Sequence, residues 1–337
     1  MLPRKIEGSR NVSSDRASLI VIGNFDGVHL GHRTVIQTAL AQAERDGLVP
    51  RVLTFEPHPS RVLGGTARPA LTLPDRKVEL LLRCASDRGL APDPSEADPN
   101  LSVVVEPFTH ELSRLSPSEF VESILVQRLH ARTVIVGENF RFGRDRVGDL
   151  RTLRALGEQL GFDAHAEPLV GDELGVFSST RARAALELGD LAGVARCLGR
   201  PHALSGPVIS GAQRGRTLGF PTANLAPVLE ALPPFGVYAC LVDRVEADGA
   251  RVLGRGVMNL GMRPTVDAGF SVEVHVLDFA ADLYGAELRV HLMARLREER
   301  KFEGLAELRA QITLDSERAR EALANYAPDP RAGGAWF

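Results

Sequence analysis

The chain has 337 residues, of which 44% are hydrophobic and 25% are charged, and its formal net charge at pH 7 is −3. This length favours two domains, and the composition is typical of a globular protein that buries a sizeable core. The net charge excludes a globally basic nucleic-acid binder, although it would allow a local basic groove.

Cysteine usage and the N-terminal composition indicate the compartment. Cys84, Cys197 and Cys240 are far apart and form no CxxC pair, so isolated core residues are a better interpretation than a disulfide framework or a metal site. Residues 1–16 lack the apolar stretch of a secretory signal, and no run approaches the roughly 20 apolar residues that span a bilayer. We therefore expect a cytoplasmic protein that binds neither membrane nor nucleic acid.

The first half of the chain alternates strand-like and helix-like segments. An apolar strand pattern at 18–25 is followed by a helical pattern at 32–48, which Gly47 ends. Ser116 is a candidate N-cap for a later helix, with Pro117 at its first position and Glu119 at its third. The remaining patterns predict strands at 51–59, 101–108 and 132–140 and helices at 74–90 and 116–130. This alternation predicts an α/β domain whose parallel sheet is covered on both faces, and the Pro- and Asp-rich segment 91–100 is predicted to be a surface loop.

The second half of the chain has a different order of predicted elements. A helical connector at 185–200 is followed by strand patterns with few helices between them, at 202–210, 236–245, 251–261, 270–279 and 287–296. These predict a small antiparallel β-barrel. A final helix is expected to pack across the barrel through an apolar stripe made of Leu305, Leu308, Ile312, Ala319 and Leu323. We therefore predict two domains, 1–186 and 187–337.

The segment GNFDGVHLGH (23–32) lies where the first strand pattern becomes a helix. Ligands of open parallel sheets bind beyond the carboxyl ends of the strands, and Gly23 and Gly27 would let backbone approach a ligand closely. A helix that starts near His29 offers unpaired N–H groups, which suit phosphate. His29 and His32 share one helical face, from which they could donate hydrogen bonds to phosphate oxygens.

This segment also admits three other interpretations. An HxxH zinc site would need two more ligands, which nothing nearby supplies. The histidines could instead be structural residues of a capped turn, and the glycine spacing does not match the dinucleotide fingerprint GxGxxG. Asp26 could either cap the following helix or face the ligand.

The segment GAQRGRTLGFPTANL (211–225) is a second glycine-rich motif. It imitates a Walker A loop, but its glycine spacing is one residue short and Arg216 stands where lysine belongs. Pro221 also prevents a long helix from starting there.

These motifs together resemble a known family. Four segments, 23–32, 54–59 (TFEPHP), 136–143 (VGENFRFG) and 177–183 (FSSTRAR), are similar, in order, to the adenylyltransferase domain of the bacterial bifunctional riboflavin kinase/FMN adenylyltransferases, also called FAD synthetases. The resemblance implies a Rossmann-like nucleotidylyltransferase domain, in which His29 and His32 of the HxGH motif contact the ATP triphosphate. It implies further ATP and flavin contacts by Gly23, Phe25, Asp26, Gly27, Gly31 and Asn139, and a second phosphate-contacting element formed by Ser178, Ser179, Thr180 and Arg181. Ala182 departs from the larger aliphatic residue usual in the family.

The second half resembles the riboflavin kinase domain of the same family, a small closed antiparallel barrel. The matching segments after 211–225 are 236–239 (GVYA), 258–265 (MNLGMRPT), 273–279 (EVHVLDF), 282–285 (DLYG) and 296–302 (LREERKF). The resemblance implies that Thr222 and Asn224 hold Mg²⁺ and ATP phosphates and that Glu273 is the general base. It also implies nucleotide or flavin contacts by Arg216, Gly219, Pro221, Arg263 and Arg297. Val266 replaces an aromatic residue common after the RPT sequence.

The local pattern around Glu273 agrees with this role without proving it. Val272, Val274 and Val276 share one face of a strand, and Glu273 and His275 share the other. Without the resemblance, a solvated carboxylate on an antiparallel strand would be the favoured interpretation. Similarly, Arg297 could be an exposed charge within a charged run.

The reaction implied by the resemblance has two steps. Riboflavin and ATP give FMN, and FMN with a second ATP gives FAD and pyrophosphate, with Mg²⁺ as the metal. The expected partners are therefore riboflavin, FMN and ATP, and a weak or transient homo-oligomer is compatible with the sequence. Two alternatives are an enzyme with only one active half, and a flavin- or nucleotide-sensing protein that binds without turnover.

Overall fold

The computed structural model describes residues 6–8, 16–64, 68–86, 101–211, 219–262, 269–332 and 334–337. The chain divides into two compact units. The N-terminal unit extends to Ser178, and the C-terminal unit comprises Ser179–Phe337 together with Pro69–Leu71. Within the described ranges, every helix is too short or too polar to cross a membrane.

The N-terminal unit is built on a six-stranded sheet in which every neighbouring pair of strands is parallel, in the order β1-β4-β3-β2-β5-β6. The strands are β1 (Ile6–Gly8), β2 (Ser18–Ile22), β3 (Val49–Glu56), β4 (Ser102–Pro107), β5 (Ala131–Gly137) and β6 (Asp163–Glu167). Leu19 and Val21 of β2 pack into one apolar core, and Ile20 and Ile22 pack into another on the opposite face. Burial on both faces explains why the strands read as continuous apolar runs, and it confirms the predicted parallel sheet.

Helices cover both faces of this sheet. They are α1 (Leu30–Asp46), α2 (Pro59–Val62), α3 (Pro74–Ser86), α4 (His110–Arg114), α5 (Pro117–Phe120), a π-helix (Val121–Arg128) that continues α5, and α6 (Leu150–Leu160). A short hairpin of β7 (Gly171–Asp172) and β8 (Gly175–Val176) precedes the end of the unit. The predicted cap of α5 is confirmed: Ser116 Oγ accepts the N–H of Glu119 at 3.2 Å, and the Glu119 carboxylate accepts the N–H of Ser116 at 2.7 Å.

The C-terminal unit is a closed antiparallel barrel, as predicted. Two helices, α7 (Ser179–Glu187) and α8 (Leu191–Leu198), precede it, and residue 186 lies in α7. The strand order is β10-β13-β12-β11-β14-β9, with β9 pairing back to β10. The barrel strands are β9 (Ala203–Ile209), β10 (Ala223–Leu225), β11 (Gly236–Glu246), β12 (Gly249–Met262), β13 (Phe270–Val276) and β14 (Glu287–Arg297).

The final helix, α9 (Leu305–Leu323), packs on the barrel, but not along the whole predicted stripe. Ala319 and Leu323 join an apolar cluster with barrel residues, whereas Leu305 is 70% exposed. The face buried instead includes Gln311 and Asp315, because Gln311 Nε2 donates to Asp315 Oδ1 at 2.7 Å and barrel arginine Arg297 holds the other carboxylate oxygen. The stripe prediction is therefore confirmed for Ala319 and Leu323 and wrong for Leu305, while Leu308 and Ile312 are half-buried.

The three cysteines are all free and buried, in agreement with the sequence interpretation. Cys84 lies in the core between α1, α3 and the sheet. Cys240 lies on β11 and is fully buried, so the pKa of its thiol is raised well above the usual value. These residues behave as small apolar core side chains.

Candidate active sites

The N-terminus of α1 is shaped by the two histidines of the first motif. His29 occupies the N-cap position, and its ring Nδ1 accepts the backbone N–H of His32 at 3.3 Å. Because Nδ1 accepts this hydrogen bond, the proton of the neutral His29 ring belongs on Nε2. The two rings are stacked, with centroids 3.5 Å apart and an interplanar angle of 23°. The predicted pair therefore lies together at the helix end, and His29, rather than Asp26, is the N-cap.

The turn between β2 and α1 is strained. The predicted strand at 18–25 ends at Ile22, because Phe25 and Val28 have positive φ angles of 51° and 39°. Such angles are rare outside glycine and unfavourable for a β-branched residue. Both side chains are buried, and the N–H of Val28 donates to Phe25 O at 3.1 Å. Packing of these side chains and this hydrogen bond therefore hold the turn in its strained conformation, as is common at functional sites.

The glycines of this motif make room for other groups of the protein. A Cβ atom at Gly23 would lie 2.9 Å from the Phe25 ring, which in turn meets His32 edge-on at 5.1 Å between centroids. A Cβ atom at Gly31 would lie 3.2 Å from the carbonyl oxygen of Phe177, so the segment leading into Ser178 passes beside the start of α1. Gly27, with φ of 82°, lies in the left-handed region that favours glycine. The packing role of Gly23 was not predicted from the sequence.

The carboxyl end of β3 supports the same turn. The N–H of Gly23 donates to Leu53 O at 3.1 Å, and Thr54 Oγ1 donates to Asn24 O at 3.2 Å. Lys77 Nζ reaches this edge from α3 and donates to Phe55 O at 3.1 Å. No role for Lys77 was predicted from the sequence, in which the only signal is a lysine among the apolar positions of an amphipathic helix.

Two predicted elements at the far end of the N-terminal half have simple local structures. Asn139 is exposed just after β5, and Phe140 and Phe142 stack beside it with centroids 5.5 Å apart. Ser178 is the last residue of the N-terminal unit. The first turn of α7, in the C-terminal unit, contains Ser179, Thr180 and the half-buried Arg181.

The barrel brings three polar residues together by strand register. Glu273 on β13 is directly opposite Asn224 on β10 and Asn259 on β12. Directly paired residues share a face of the sheet, and all three are half-buried while their strand neighbours Ala223 and Val274 are buried. This places one amide group on each side of the carboxylate. Asn259 lies within the MNLG motif, but no role was predicted for it, because its register with Glu273 is not visible in the sequence.

The segment that leads into β10 is anchored by a histidine. His275 Nδ1 donates to Pro221 O at 2.8 Å, and its ring meets Phe220 edge-on with centroids 5.6 Å apart. Thr222 follows directly and is half-buried, whereas Gly219 is exposed with φ of 88°. His275 therefore fixes the backbone next to Thr222, a role that was not predicted from the sequence.

Arg297 at the end of β14 is held by neighbouring residues. Its Nε donates to Asp315 Oδ2 at 2.9 Å, and its guanidinium lies 5.6 Å from the centre of the Phe302 ring. The side chain is largely buried, so the alternative of an exposed charge within a charged run is wrong. Arg216, Arg263 and the 91–100 loop lie outside the described residues.

The donor set of the barrel site suits magnesium. No group of three or more His, Cys, Asp or Glu residues that could hold a metal ion occurs in the part of the chain that the structure describes. Magnesium needs fewer protein ligands, because it keeps several waters and binds nucleotide phosphates. The Thr222 hydroxyl and the Asn224 amide oxygen are hard oxygen donors, and Asn224 is paired directly with Glu273.

Comparison with known protein families covers both units. A family model described as FAD synthetase matches residues 11–181, and one described as riboflavin kinase matches residues 198–323. Together these matches span most of the chain.

Individual relatives match over nearly their whole lengths. A bifunctional riboflavin kinase/FMN adenylyltransferase of Escherichia coli strain K12 is 37% identical over 321 residues, covering 94% of this chain and 96% of the relative. Proteins with the same description from Pseudomonas fluorescens and Bacillus subtilis are 37% and 33% identical, covering 96% and 91% of this chain and 98% and 93% of the relatives. A solved structure described as a macrolide-efflux protein from Streptococcus pneumoniae is similar with a TM-score of 0.75 and 27% identity, covering 95% of this chain and 97% of that one.

Proposed function

The chain belongs to the family of bifunctional riboflavin kinase/FMN adenylyltransferases, and we propose that residues 1–186 adenylate FMN and residues 187–337 phosphorylate riboflavin. The enzyme converts riboflavin and ATP to FMN, and FMN and ATP to FAD and pyrophosphate. ATP and the flavins are thus its substrates and products. A cytoplasmic location, the lack of nucleic-acid partners and a weak or transient homo-oligomer stay predictions from the sequence.

For FMN adenylylation, the proposed site is the N-terminus of α1. A phosphate oxygen of FMN attacks the α-phosphorus of ATP, the bond from that phosphorus to the bridging oxygen breaks, and pyrophosphate leaves. The nucleophile is already ionised, so no protein base is needed, and the site must align two anions and offset their repulsion.

The observation that carries this proposal is the hydrogen bond of the His29 ring. Acceptance of the His32 N–H by Nδ1 leaves Nε2–H as the donor of the neutral ring, which suits a phosphate contact and not proton abstraction. The backbone N–H groups at the start of α1 also favour the binding of a phosphate. Ser178, Ser179, Thr180 and Arg181 are the proposed second phosphate-contacting element, and Asn139 the contact between flavin and ATP.

For riboflavin phosphorylation, the proposed site is the face shared by Asn224, Glu273 and Asn259. The Glu273 carboxylate takes the proton of the riboflavin 5′-hydroxyl while that oxygen attacks the γ-phosphorus of ATP and ADP leaves. Thr222 and Asn224 would hold Mg²⁺ through oxygen atoms. The ion, when bound, supplies charge neutralisation on the phosphates.

Two substitutions test the division of the reactions. We expect His29→Ala to reduce FAD formation from FMN by roughly a hundredfold or more and to leave FMN formation unchanged, because one transition-state phosphate contact is lost. Glu273→Ala should do the reverse, with a loss of roughly a hundredfold in FMN formation. Both activities are measured on each variant by chromatographic separation of riboflavin, FMN and FAD with Mg-ATP, so each variant carries its own control for folding. Loss of both activities in either variant would contradict separate sites.

A further inference from the structure

A lysine is buried beneath the proposed adenylylation site. Lys77 lies on α3 and is 5% exposed, next to Val78, which packs into the apolar core between α3 and the sheet. Taking an ammonium group out of water is costly unless other groups compensate for it. Its position therefore calls for a specific partner.

The partners of Lys77 lie at the edge of the sheet where β2 and β3 end. Its Nζ donates to Phe55 O at 3.1 Å and pairs with Glu56 Oε2 at 3.4 Å. Burial lowers the pKa of Lys77, while the nearby carboxylates of Glu56 and Asp26 act in the opposite direction. The two carboxylates thus stabilise the charged form of the buried lysine.

Those two carboxylates belong to the segments that form the edge of the site. Asp26 lies in the strained turn that leads from β2 to His29, and Glu56 ends β3, the parallel neighbour of β2. Carboxyl ends of parallel strands meet at one edge of a sheet. Two carboxylates at this edge, without a cation, would repel the phosphates of ATP and FMN. The buried Lys77 amine is a cation at this edge: it pairs directly with Glu56 and also interacts electrostatically with Asp26.

We propose that Lys77 is a positioning residue for FMN adenylylation: it fixes the end of β3 and offsets the negative charge that Asp26 and Glu56 place beside the phosphate-binding turn. This inference rests on the proposed location of the adenylylation site. Because Lys77 is buried, it acts through these neighbours and not by touching substrate. Its removal should therefore affect the binding of anionic substrates, and neutralising a neighbouring carboxylate should restore that binding.

The test uses the full-length enzyme and Lys77→Met, which keeps a long apolar stem without the charge. We expect KM for ATP and for FMN in FAD formation to rise roughly tenfold or more, with a smaller change in kcat, because ground-state binding of anions is weakened. FMN formation by the same chain should be unchanged. The matched control is Arg83→Met, which removes a cation paired with Glu79 on the same helix and should leave both KM values unchanged.

A double variant separates charge from packing. Lys77→Met with Glu56→Gln removes the lysine and one carboxylate, and we expect it to bring KM back to within about threefold of the wild-type value. A merely structural role would make the double variant no better than the single one. A normal KM in Lys77→Met overturns the proposal. Where Lys77→Met does not fold, the double variant decides: near-normal KM supports the proposal, and an impaired or unfolded double variant overturns it.

The His29→Ala variant shows whether a negative result concerns Lys77 alone or the proposed location of the adenylylation site. If His29→Ala leaves FAD formation intact, the proposed location of the adenylylation site is wrong. If His29→Ala abolishes FAD formation while Lys77→Met behaves as wild type, the site stands and only the role of Lys77 is wrong.

Discussion

Glu230 gives the C-terminal unit a pH-dependent stability. Its side chain is buried, and Oε1 accepts the N–H of Ser205 on β9 at 2.9 Å while Oε2 accepts the N–H of Leu229 at 3.3 Å. Burial raises the pKa of Glu230 from the usual 4.5 to about 7, and these hydrogen bonds only partly oppose the shift. The folded unit therefore keeps this carboxyl protonated at pH values where the unfolded chain ionises it.

The sign and size of the effect follow from linkage. A carboxyl with a raised pKa in the folded state contributes stability that is fully present below about pH 4.5 and is lost as the pH rises to about 7. Between pH 5 and pH 8 this group alone should lower the free energy of unfolding by roughly 2.5 kcal/mol. Glu230→Gln resembles the protonated acid, so it should remove this part of the pH dependence.

The single tryptophan of the chain makes the measurement specific to the C-terminal unit. Trp336 is buried, and its Nε1 donates to Val242 O at 3.2 Å on β11. Urea unfolding followed by its fluorescence at pH 5 and pH 8 gives the two free energies for the wild type and for Glu230→Gln. Glu317→Gln, at an exposed position of α9, is the control. If the free energy of unfolding changes between pH 5 and pH 8 by the same amount in the wild type and in Glu230→Gln, Glu230 is not the source of the pH dependence.

Two further predictions concern one residue in each unit. We expect His275→Phe to raise KM for ATP in FMN formation roughly fivefold, because it removes the hydrogen bond to Pro221 O beside Thr222, and steady-state kinetics should show FAD formation from FMN unchanged. An unaltered KM would mean that the bond does not position this segment. Ser116→Ala removes the N-cap of α5 and should cost the N-terminal unit about 1 kcal/mol. We expect Ser116→Ala to lose FAD formation at a lower urea concentration than the wild type. An unchanged urea midpoint would contradict the predicted loss of stability.

The main elements of the fold could be predicted because their signals are local. Strands buried on both faces, such as β2, read as apolar runs, and the Ser116 cap was visible from three residues. By contrast, β1 and β6 were not predicted. The sequence of β6, DAHAE, has no apolar run, and it becomes a strand by pairing with β5 at the edge of the sheet. Long-range pairing of this kind leaves no periodic signal.

The residues of the candidate sites also differ in whether a local sequence signal reveals them. The HxGH motif and the second glycine-rich segment stand out in the sequence, since their residue types and spacing are local, whereas the role of Glu273 was predicted only through the family resemblance. Asn259, His275 and Lys77 were missed, because strand register and helix packing bring them to the sites. That His29 caps α1, and Asp26 does not, also required the backbone geometry.

The sequence by itself determined two units of different architecture, the family to which they are similar, and the residues most expected to contact phosphate. Only the tertiary structure decided which nitrogen of His29 can donate, which carboxylate pairs with Lys77, and which face of α9 is buried. Periodicity and motif spacing describe a segment in isolation. Hydrogen-bond direction, charge compensation and burial depend on groups that are distant in the chain and adjacent only after folding.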